Sequence, residues 1–208
     1  MRHPDGRPTV GAMSIRHLLF VIGICALIPA TTASAAVALL DDITVRVYDS
    51  AGLPGNVKQS AFGIASQTLA AASIAVRWEH CERPGRACAL PLEAGEFVVR
   101  IVRSPAPGWA RAPLPLGEAF VDSNARSGVL ATIYADRVAL LAAAAGVDAA
   151  TLLGRAIAHE MGHLLLATNA HSAHGLMRPL WSRDDLRRGR GADWVFTREE
   201  IAAIRARF

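Results

Sequence analysis

Apolar and polar residues alternate at the start of the region that we interpret as folded. Residues 43–48 (Ile-Thr-Val-Arg-Val-Tyr) place apolar side chains at every second position, which is the repeat of a strand with one buried face. A turn containing Gly and Pro follows at 49–55, and residues 57–72 then carry small or apolar side chains at spacings of three and four. The pattern predicts a strand, a turn and a helix. The expected buried face of that helix consists of Ala61, Ile64, Ala65, Thr68, Leu69 and Ala72.

Short β-rich segments recur after this helix. A Pro-rich stretch at 104–115 interrupts them and predicts a loop, because proline cannot donate a backbone hydrogen bond, and loops of this kind commonly line clefts. A short helix is expected at 138–145. The predicted strands are 74–78, 96–103, 116–121 and 129–134.

A second long amphipathic segment follows Asp148, which is a suitable N-cap, and extends to about Ala167. Its predicted buried stripe is Leu153, Ile157, Met161 and Leu164. Residues 171–181 have no regular period. Thr197-Arg198-Glu199-Glu200 forms a capping box that opens a final helix through Ile201 and Ile204. Strands and helices do not alternate as repeated βαβ units, so the class predicted is α+β, with a small twisted mixed sheet, a backing helix and this second long helix.

The N-terminus has the order of a secretory signal peptide. Basic Arg16 and His17 precede an apolar run at 18–28, and Ala33-Ser34-Ala35-Ala36 supplies small residues for cleavage. We predict a signal peptide at 1–35, cleaved near Ala35 or Ala36, and a single mature domain at 36–208. An uncleaved anchor is disfavoured because the apolar run is shorter than the roughly 20 residues of a spanning helix. Lipid attachment at Cys25 is disfavoured by Ile24, which is larger than the residue usual there. The expected location is secreted or periplasmic, without stable membrane association after cleavage.

Composition and charge suit one small globular domain. The chain has 208 residues, 52% of them hydrophobic, and a formal charge of +4. Removal of residues 1–35 takes away three arginines and one aspartate, which lowers the charge to +2. Basic residues between 178 and 207 are interspersed with acidic ones, as on a solvated face. We therefore expect no nucleic-acid partner, and a monomer.

Two cysteines remain after the predicted cleavage. Cys81 and Cys88 flank a turn-rich loop that contains Pro84 and Gly85. In an exported protein this arrangement predicts a disulfide. A zinc-binding cysteine pair is the alternative, but six intervening residues exceed the usual two to four, and no second pair is present.

The second long helix carries the candidate chemistry. Residues 158–163 have the sequence Ala-His-Glu-Met-Gly-His, which puts His159 and His163 four residues apart. On a helix such side chains are neighbours about 5–6 Å apart at Cβ, so the two imidazoles can bind one ion. Zinc accepts histidine nitrogens, and Glu160 lies beside the open coordination position that would hold water. Zinc is the predicted cofactor, Glu160 the predicted general base, and peptide hydrolysis the predicted reaction.

A third metal ligand must follow the helix, because a catalytic zinc takes three protein ligands and keeps one open position. Five histidines remain after residue 35, and four of them lie between 159 and 174. His171 is the first candidate, and His174 is an alternative. The possible carboxylate ligands are Asp184, Asp185, Glu199 and Glu200.

The HExxH helix, the later His171-Ser172 and the Met177-Arg178-Pro179 segment resemble the metzincin clan of zinc endopeptidases, matrixins in particular. The resemblance covers about 158–179 and implies a zincin-like fold, with Met177 as a Met-turn beneath the metal. The chain also resembles a group of small exported bacterial proteins that look like minimal metzincins. This likeness lies in the segments HEMGHLLL, His-Ser and Gly-Leu-Met. In the clan's HExxHxxGxxH motif a glycine stands where Leu166 is and the third histidine where Asn169 is, so His171 comes two residues late. We expect a longer last helical turn, ended by Asn169 in the left-handed conformation, to absorb the difference.

The leading hypothesis is therefore an exported zinc-dependent endopeptidase acting on a peptide or protein, with His159, His163 and His171 as ligands and Glu160 assisting a water at zinc. A non-catalytic exported zinc-binding domain that retains the protease fold is the alternative, and a structural domain with packed histidines is a third. Structural roles are expected for His80, Tyr134 and Asp136, and core or cleft-wall positions for the tryptophans.

Overall fold

The structure is a computed structural model that describes residues 42–82, 86–104 and 115–208. The predicted signal peptide and nearly all of the Pro-rich stretch lie outside these residues. Its first elements are β1 (Asp42–Asp49), α1 (Gly55–Ala70), β2 (Ala75–His80), α2 (Arg86–Ala89), β3 (Glu96–Val102), β4 (Gly117–Asp122) and β5 (Ser127–Tyr134). They are followed by α3 (Ala135–Ala145), α4 (Ala149–Leu166), α5 (Arg183–Arg188), a 3-10 turn (Gly191–Trp194) and α6 (Arg198–Arg205).

The five described strands form one mixed sheet in the order β2-β1-β3-β5-β4. β1 is parallel to both β2 and β3, and β3 is parallel to β5, whereas β4 pairs with β5 in antiparallel orientation. The segment β1-α1-β2 is a single parallel crossover that is not repeated among the described elements. The predicted α+β class with a mixed sheet is therefore confirmed, and β4 lies at one edge of the sheet.

One face of the sheet is covered by the two long helices. α1 contacts β2, α4 contacts β4 and β5, and the helices contact each other. The two helices approach closely at Gly154, where a Cβ atom would lie 2.5 Å from the Ala61 carbonyl oxygen and 2.8 Å from the Ile64 Cβ. Glycine at 154 therefore allows α1 to pack directly on the backbone of α4.

The predicted buried stripes are largely confirmed. In α1, Ala61, Ala65 and Leu69 are buried, although Ile64 is half-exposed, and Phe62 is buried instead because it stacks on Trp78 with a centroid distance of 4.8 Å. The four predicted stripe residues of α4 are at most 2% exposed. Burial in α4 extends around most of the helix, so it is the central helix of the core.

Several local features differ from the sequence-based expectations. α3 begins at Ala135, directly after β5, and ends with Gly146 in the left-handed conformation at φ 67°. α5 and the 3-10 turn were not predicted, because the mixed charges of this region indicate only a solvated face. None of the helices in the described ranges has both the length and the apolarity required to cross a bilayer.

The predicted disulfide between Cys81 and Cys88 is formed. It follows β2, and the Tyr48 hydroxyl donates to the Cys88 carbonyl at 3.2 Å. The alternative of a metal-binding cysteine pair is therefore excluded.

Candidate metal centre

The N-terminus of α4 is fixed as the sequence predicts. The Asp148 carboxylate accepts a hydrogen bond from the Thr151 backbone N–H at 2.7 Å, which satisfies a donor that the helix cannot satisfy internally. From this start, His159 and His163 lie one turn apart near the end of the helix. They are 8% and 5% exposed, so both imidazoles are held in the protein interior.

The end of α4 corrects one expectation. The helix stops at Leu166, and the left-handed residue is Ala167, with φ 49° and ψ 50°, in place of Asn169. The reversal is closed by the Thr168 N–H, which donates to the His163 carbonyl at 3.2 Å. The Asn169 side chain instead donates to the Val121 carbonyl at 3.3 Å. The two extra residues before His171 thus lie in the loop after the helix.

Hydrogen bonds fix which nitrogen of each helical imidazole is free. His159 Nδ1 lies 2.8 Å from the Leu176 carbonyl oxygen, and His163 Nδ1 lies 2.8 Å from the Thr168 carbonyl oxygen. A carbonyl can only accept, so each Nδ1 carries the proton and each Nε2 presents a lone pair. The two Nε2 atoms are 3.2 Å apart. Two lone pairs cannot satisfy each other, whereas a cation bound to both would satisfy them.

The loop brings His171 to the same place. Its ring centroid is 5.4 Å from that of His159 and 4.8 Å from that of His163. Ligand atoms of these three residues all lie within 4.8 Å of one another, and no other such group occurs in the part of the chain that the structure describes. His171 is exposed, unlike the helical pair. The alternatives His174, Asp184, Asp185, Glu199 and Glu200 are not part of the group.

Glu160 is buried, at 6% exposure, against β4. A Cβ atom on Gly117 would lie 2.8 Å from the Glu160 Cγ and 2.9 Å from its Oε1, so the absence of a side chain at 117 makes room for this carboxylate. Burial raises the pKa of Glu160 to about 8, and the charge of Glu118 contributes further. A raised pKa makes the carboxylate, once ionised, a stronger base.

The three imidazoles are neutral in this environment. Burial lowers the pKa of His159 to about 4 and also lowers the pKa of His163, and partial desolvation lowers the pKa of the more exposed His171. Neutral imidazole is the form that binds a metal.

A second loop, which carries Met177, packs against α4. Met177 is 1% exposed, and a Cβ atom on Gly162 would lie 2.5 Å from its Sδ. The Ser172 N–H donates to the Met177 carbonyl at 2.9 Å, which links the His171 segment to the Met177 segment. Met177 therefore packs on α4 at Gly162, the residue that precedes His163 in the sequence.

Sequence reasoning missed several contacts of residues near the histidines and Glu160. Trp181 lies edge-on to His159 with a centroid distance of 5.4 Å, which makes it a wall of the site. The Tyr134 hydroxyl donates to Glu118 at 2.6 Å and so holds a second carboxylate, which belongs to β4. Glu200 accepts from the hydroxyl of Ser172. All of these contacts join distant parts of the chain. From the sequence we expect core or cleft-wall positions for the tryptophans, a structural role for Tyr134, and a capping-box position or a ligand role for Glu200, but the sequence does not identify their partners.

The donor set fits a zinc ion. Three neutral imidazole nitrogens are ligands that zinc prefers, whereas magnesium and calcium require oxygen ligands. Three protein ligands with a buried carboxylate beside them also match a catalytic centre that keeps an open position. His159, His163 and His171 would be the residues that hold the ion.

Comparison with known proteins finds several solved structures of similar fold, two of which follow. No family model matches the chain, and no curated protein matches it. The archaemetzincin AmzA of Methanopyrus kandleri is similar at 14% identity and a TM-score of 0.48, over 84% of this chain and 97% of that one. A zinc-dependent peptidase from Methanocorpusculum labreanum is similar at 14% identity and a TM-score of 0.49, over 77% of this chain and 99% of that one. The function of this chain is therefore inferred from its own site.

Proposed function

We propose that this chain is an exported zinc-dependent endopeptidase in which His159, His163 and His171 bind zinc and Glu160 is the general base. One observation carries the proposal: two buried Nε2 atoms lie 3.2 Å apart, each on an imidazole whose Nδ1 is already hydrogen-bonded to a carbonyl. Packing alone gives no reason to bring two lone pairs together inside a core, since buried polar atoms need partners.

Glu160 supplies the proton transfers of the reaction. When bound, zinc would polarise the scissile carbonyl and acidify a water molecule. Glu160 accepts the proton that the water loses as its oxygen attacks the carbonyl carbon, and donates it to the amine nitrogen as the C–N bond breaks. Gly117 and β4 hold the carboxylate in place for both transfers.

A peptide or protein is the proposed substrate. β4 is an edge strand of the described sheet and runs beside α4. The unpaired side of an edge strand can bind an extended peptide through backbone hydrogen bonds. Such pairing would hold a peptide next to Glu160, because Gly117 is the first residue of β4.

The proposed relationship is to a minimal, matrixin-like metzincin of exported bacterial type, with Met177 as the Met-turn residue. It is supported by His171-Ser172 after the HExxH helix and by the packing of Met177 on Gly162. The spacing of His171 differs from the clan's motif: α4 ends at the left-handed Ala167, and the loop that follows brings His171 to the other two histidines.

Export is proposed together with the activity. The signal peptide at 1–35 would be removed near Ala35 or Ala36, which leaves residues 36–208 as a single monomeric domain outside the cytoplasm, bound neither to nucleic acid nor stably to a membrane. The Cys81–Cys88 disulfide supports this location, because such bonds persist in oxidising compartments. The intact mass of protein recovered from the periplasm or medium tests it: loss of residues 1–35 is expected, and an uncleaved chain retained in the membrane would contradict it.

Zinc content and cleavage test the activity. Elemental analysis of oxidised residues 36–208 should give about one zinc per chain. His171→Ala should lose the bound zinc, whereas its matched control His174→Ala should retain it. Glu160→Gln should keep the zinc and lower cleavage of an unfolded protein substrate by about 10²–10⁴-fold.

The possible outcomes separate the alternatives. A wild-type protein that binds zinc and cleaves no peptide would favour the non-catalytic zinc-binding domain. A folded wild-type protein that binds no zinc would overturn both the endopeptidase and the zinc-binding-domain hypotheses. The remaining hypothesis would be a structural domain with packed histidines.

A further inference from the structure

His171 differs from the other two candidate ligands in how it is held. His159 and His163 are buried on α4, and a backbone carbonyl fixes each ring. His171 is exposed and lies on the loop after the helix. A metal ligand on a loop is oriented by surrounding contacts. Without them, the entropic cost of ordering the loop lowers the affinity for the metal.

Those contacts are made by the next residue, Ser172. Its backbone N–H donates to the Met177 carbonyl at 2.9 Å, and its hydroxyl donates to Glu200 Oε1. Glu200 lies on α6, so the C-terminal helix contacts the segment that carries His171. The other carboxylate oxygen of Glu200 accepts from the Thr197 backbone N–H at 2.7 Å, within the capping box that begins the helix.

Glu200 is more deeply buried than its capping role in α6 requires. A capping box needs one carboxylate oxygen, and an acidic side chain in the first turn stabilises a helix while remaining exposed. Glu199 already occupies that turn in an exposed position, whereas Glu200 is 7% exposed. A buried carboxylate is costly unless both oxygens have donors, and the second donor here is the Ser172 hydroxyl.

We propose that Glu200 is a positioning residue for the metal centre, which fixes His171 through Ser172 and so keeps the third imidazole within reach of His159 and His163. This inference rests on the proposed function. It gives α6 a second role, because the helix that closes the fold also holds the loop that completes the ligand set. Hydrogen bonds join Thr197 to Glu200 and Glu200 to Ser172, and a peptide bond joins Ser172 to His171. These contacts connect α6 to the third imidazole without a gap.

Zinc affinity tests the proposal without reference to activity. The dissociation constant of oxidised residues 36–208 is measured by competition with a chromophoric chelator, and the visible spectrum of the cobalt-substituted protein reports the ligand geometry. Ser172→Ala removes the link and leaves the capping box intact, so it should fold normally. It should weaken zinc binding by about 10–100-fold, as loss of an outer contact to a ligand typically does, and alter the cobalt spectrum.

Glu200 variants complete the comparison. Glu200→Ala should weaken zinc binding at least as much as Ser172→Ala, and the double variant should be no weaker than Glu200→Ala, because both changes break one chain of contacts. Glu200→Gln should restore most of the affinity, since an amide can accept from Thr197 and donate to the Ser172 oxygen. The matched control Glu199→Ala should change the dissociation constant by less than about twofold, as expected for an exposed helix residue without such a link.

Two results would overturn the proposal in distinguishable ways. A wild-type protein that binds one zinc, together with a Ser172→Ala variant of unchanged affinity and unchanged cobalt spectrum, would refute the role of Glu200 and leave the proposed function intact. A wild-type protein that binds no zinc would refute the proposed function itself, and the positioning role with it. If Glu200→Ala does not fold, Ser172→Ala alone decides the question.

Discussion

Gly162 leaves the space that the Met177 side chain fills: a Cβ atom at 162 would lie 2.5 Å from the Met177 Sδ and 2.7 Å from the Phe196 Cε1. Gly162 is one of the two residues between Glu160 and His163, and the motif itself leaves its identity free. In this chain packing restricts that residue, because the loop that carries Met177 lies directly against the helix.

Gly162→Ala should therefore destabilise the metal-free protein by about 1–3 kcal/mol through overpacking. Gly63→Ala is the matched control, because Gly63 is also helical and a Cβ atom there would meet nothing within 4 Å. The control should instead be stabilising by up to about 1 kcal/mol, since alanine favours a helix. Denaturant unfolding measures both, and equal effects of the two changes would contradict the packing described here.

Gly117→Ala should reduce catalysis more than metal binding. The added methyl group would lie 2.8 Å from the Glu160 Cγ and 2.8 Å from the Thr132 carbonyl oxygen, and the backbone oxygen cannot yield easily. Displacement of the carboxylate by about 1 Å would lower kcat by about 100-fold. Steady-state kinetics and zinc content check this, with Gly191→Ala as the control because a Cβ atom there meets nothing within 4 Å. Unchanged kcat in Gly117→Ala would refute a positional role for this glycine.

The stability of the protein in acid should depend on Asp185. Hydrogen bonds from Ser182 and Arg188, at 2.6 Å and 2.7 Å, lower the pKa of this carboxyl to about 2. A lowered pKa contributes stability that is present above about pH 4, the range of an unfolded aspartate, and is lost as the pH falls towards 2. Asp185→Asn should therefore cost about 1 kcal/mol above pH 5, after allowance for solvent screening, and almost nothing near pH 2.

Urea unfolding of metal-free protein across this pH range measures that difference between the wild type and Asp185→Asn. The matched control is Asp184→Asn, because the Asp184 side chain is 76% exposed and its ion pair with Arg187 spans 3.8 Å. The control should show a small effect that does not vary in the same way with pH. A difference for Asp185→Asn that persisted at pH 2 would show that the charge is not its source.

Loss of the disulfide should affect stability without affecting the metal centre. The bond closes a short loop next to β2, which lies at the opposite edge of the sheet from β4. Simultaneous Cys81→Ser and Cys88→Ser changes should lower the free energy of unfolding by about 2 kcal/mol. Zinc affinity should remain within about twofold of the wild-type value, since changes at distant sites act independently. A large loss of zinc affinity would reveal coupling across the sheet.

Local sequence signals predicted most of the elements, and the three histidines proposed as ligands lie together in the structure. The Asp148 cap, the buried stripe of α4 and the capping box at Thr197 all depend on residues within one or two turns, and all are present. The strand order could not be predicted, because alternation within a segment gives no information about which strand it pairs with. α5 was missed because its six residues are mostly charged and resemble an exposed surface.

The route by which His171 reaches the site could not be predicted either. Asn favours the left-handed conformation more than Ala does, so propensity pointed to Asn169. The fold reverses this preference because the Asn169 amide bonds to Val121 on β4, and Ala167 takes the strained position. The hydrogen bond between Ser172 and Glu200 could not be predicted either, because the two residues are 28 positions apart in the sequence.

The close packing of α1 on α4 has a consequence for how the chain acquires its structure. Ala61 and Gly154 are separated in the sequence by four of the five strands, most of them parallel, so their contact closes a long loop and forms slowly. Until it forms, the face of α4 that packs on α1 is exposed to water. A chain that is still folding thus exposes an apolar surface on the same helix that carries the candidate metal ligands, and this surface is open to aggregation until α1 and the sheet enclose it.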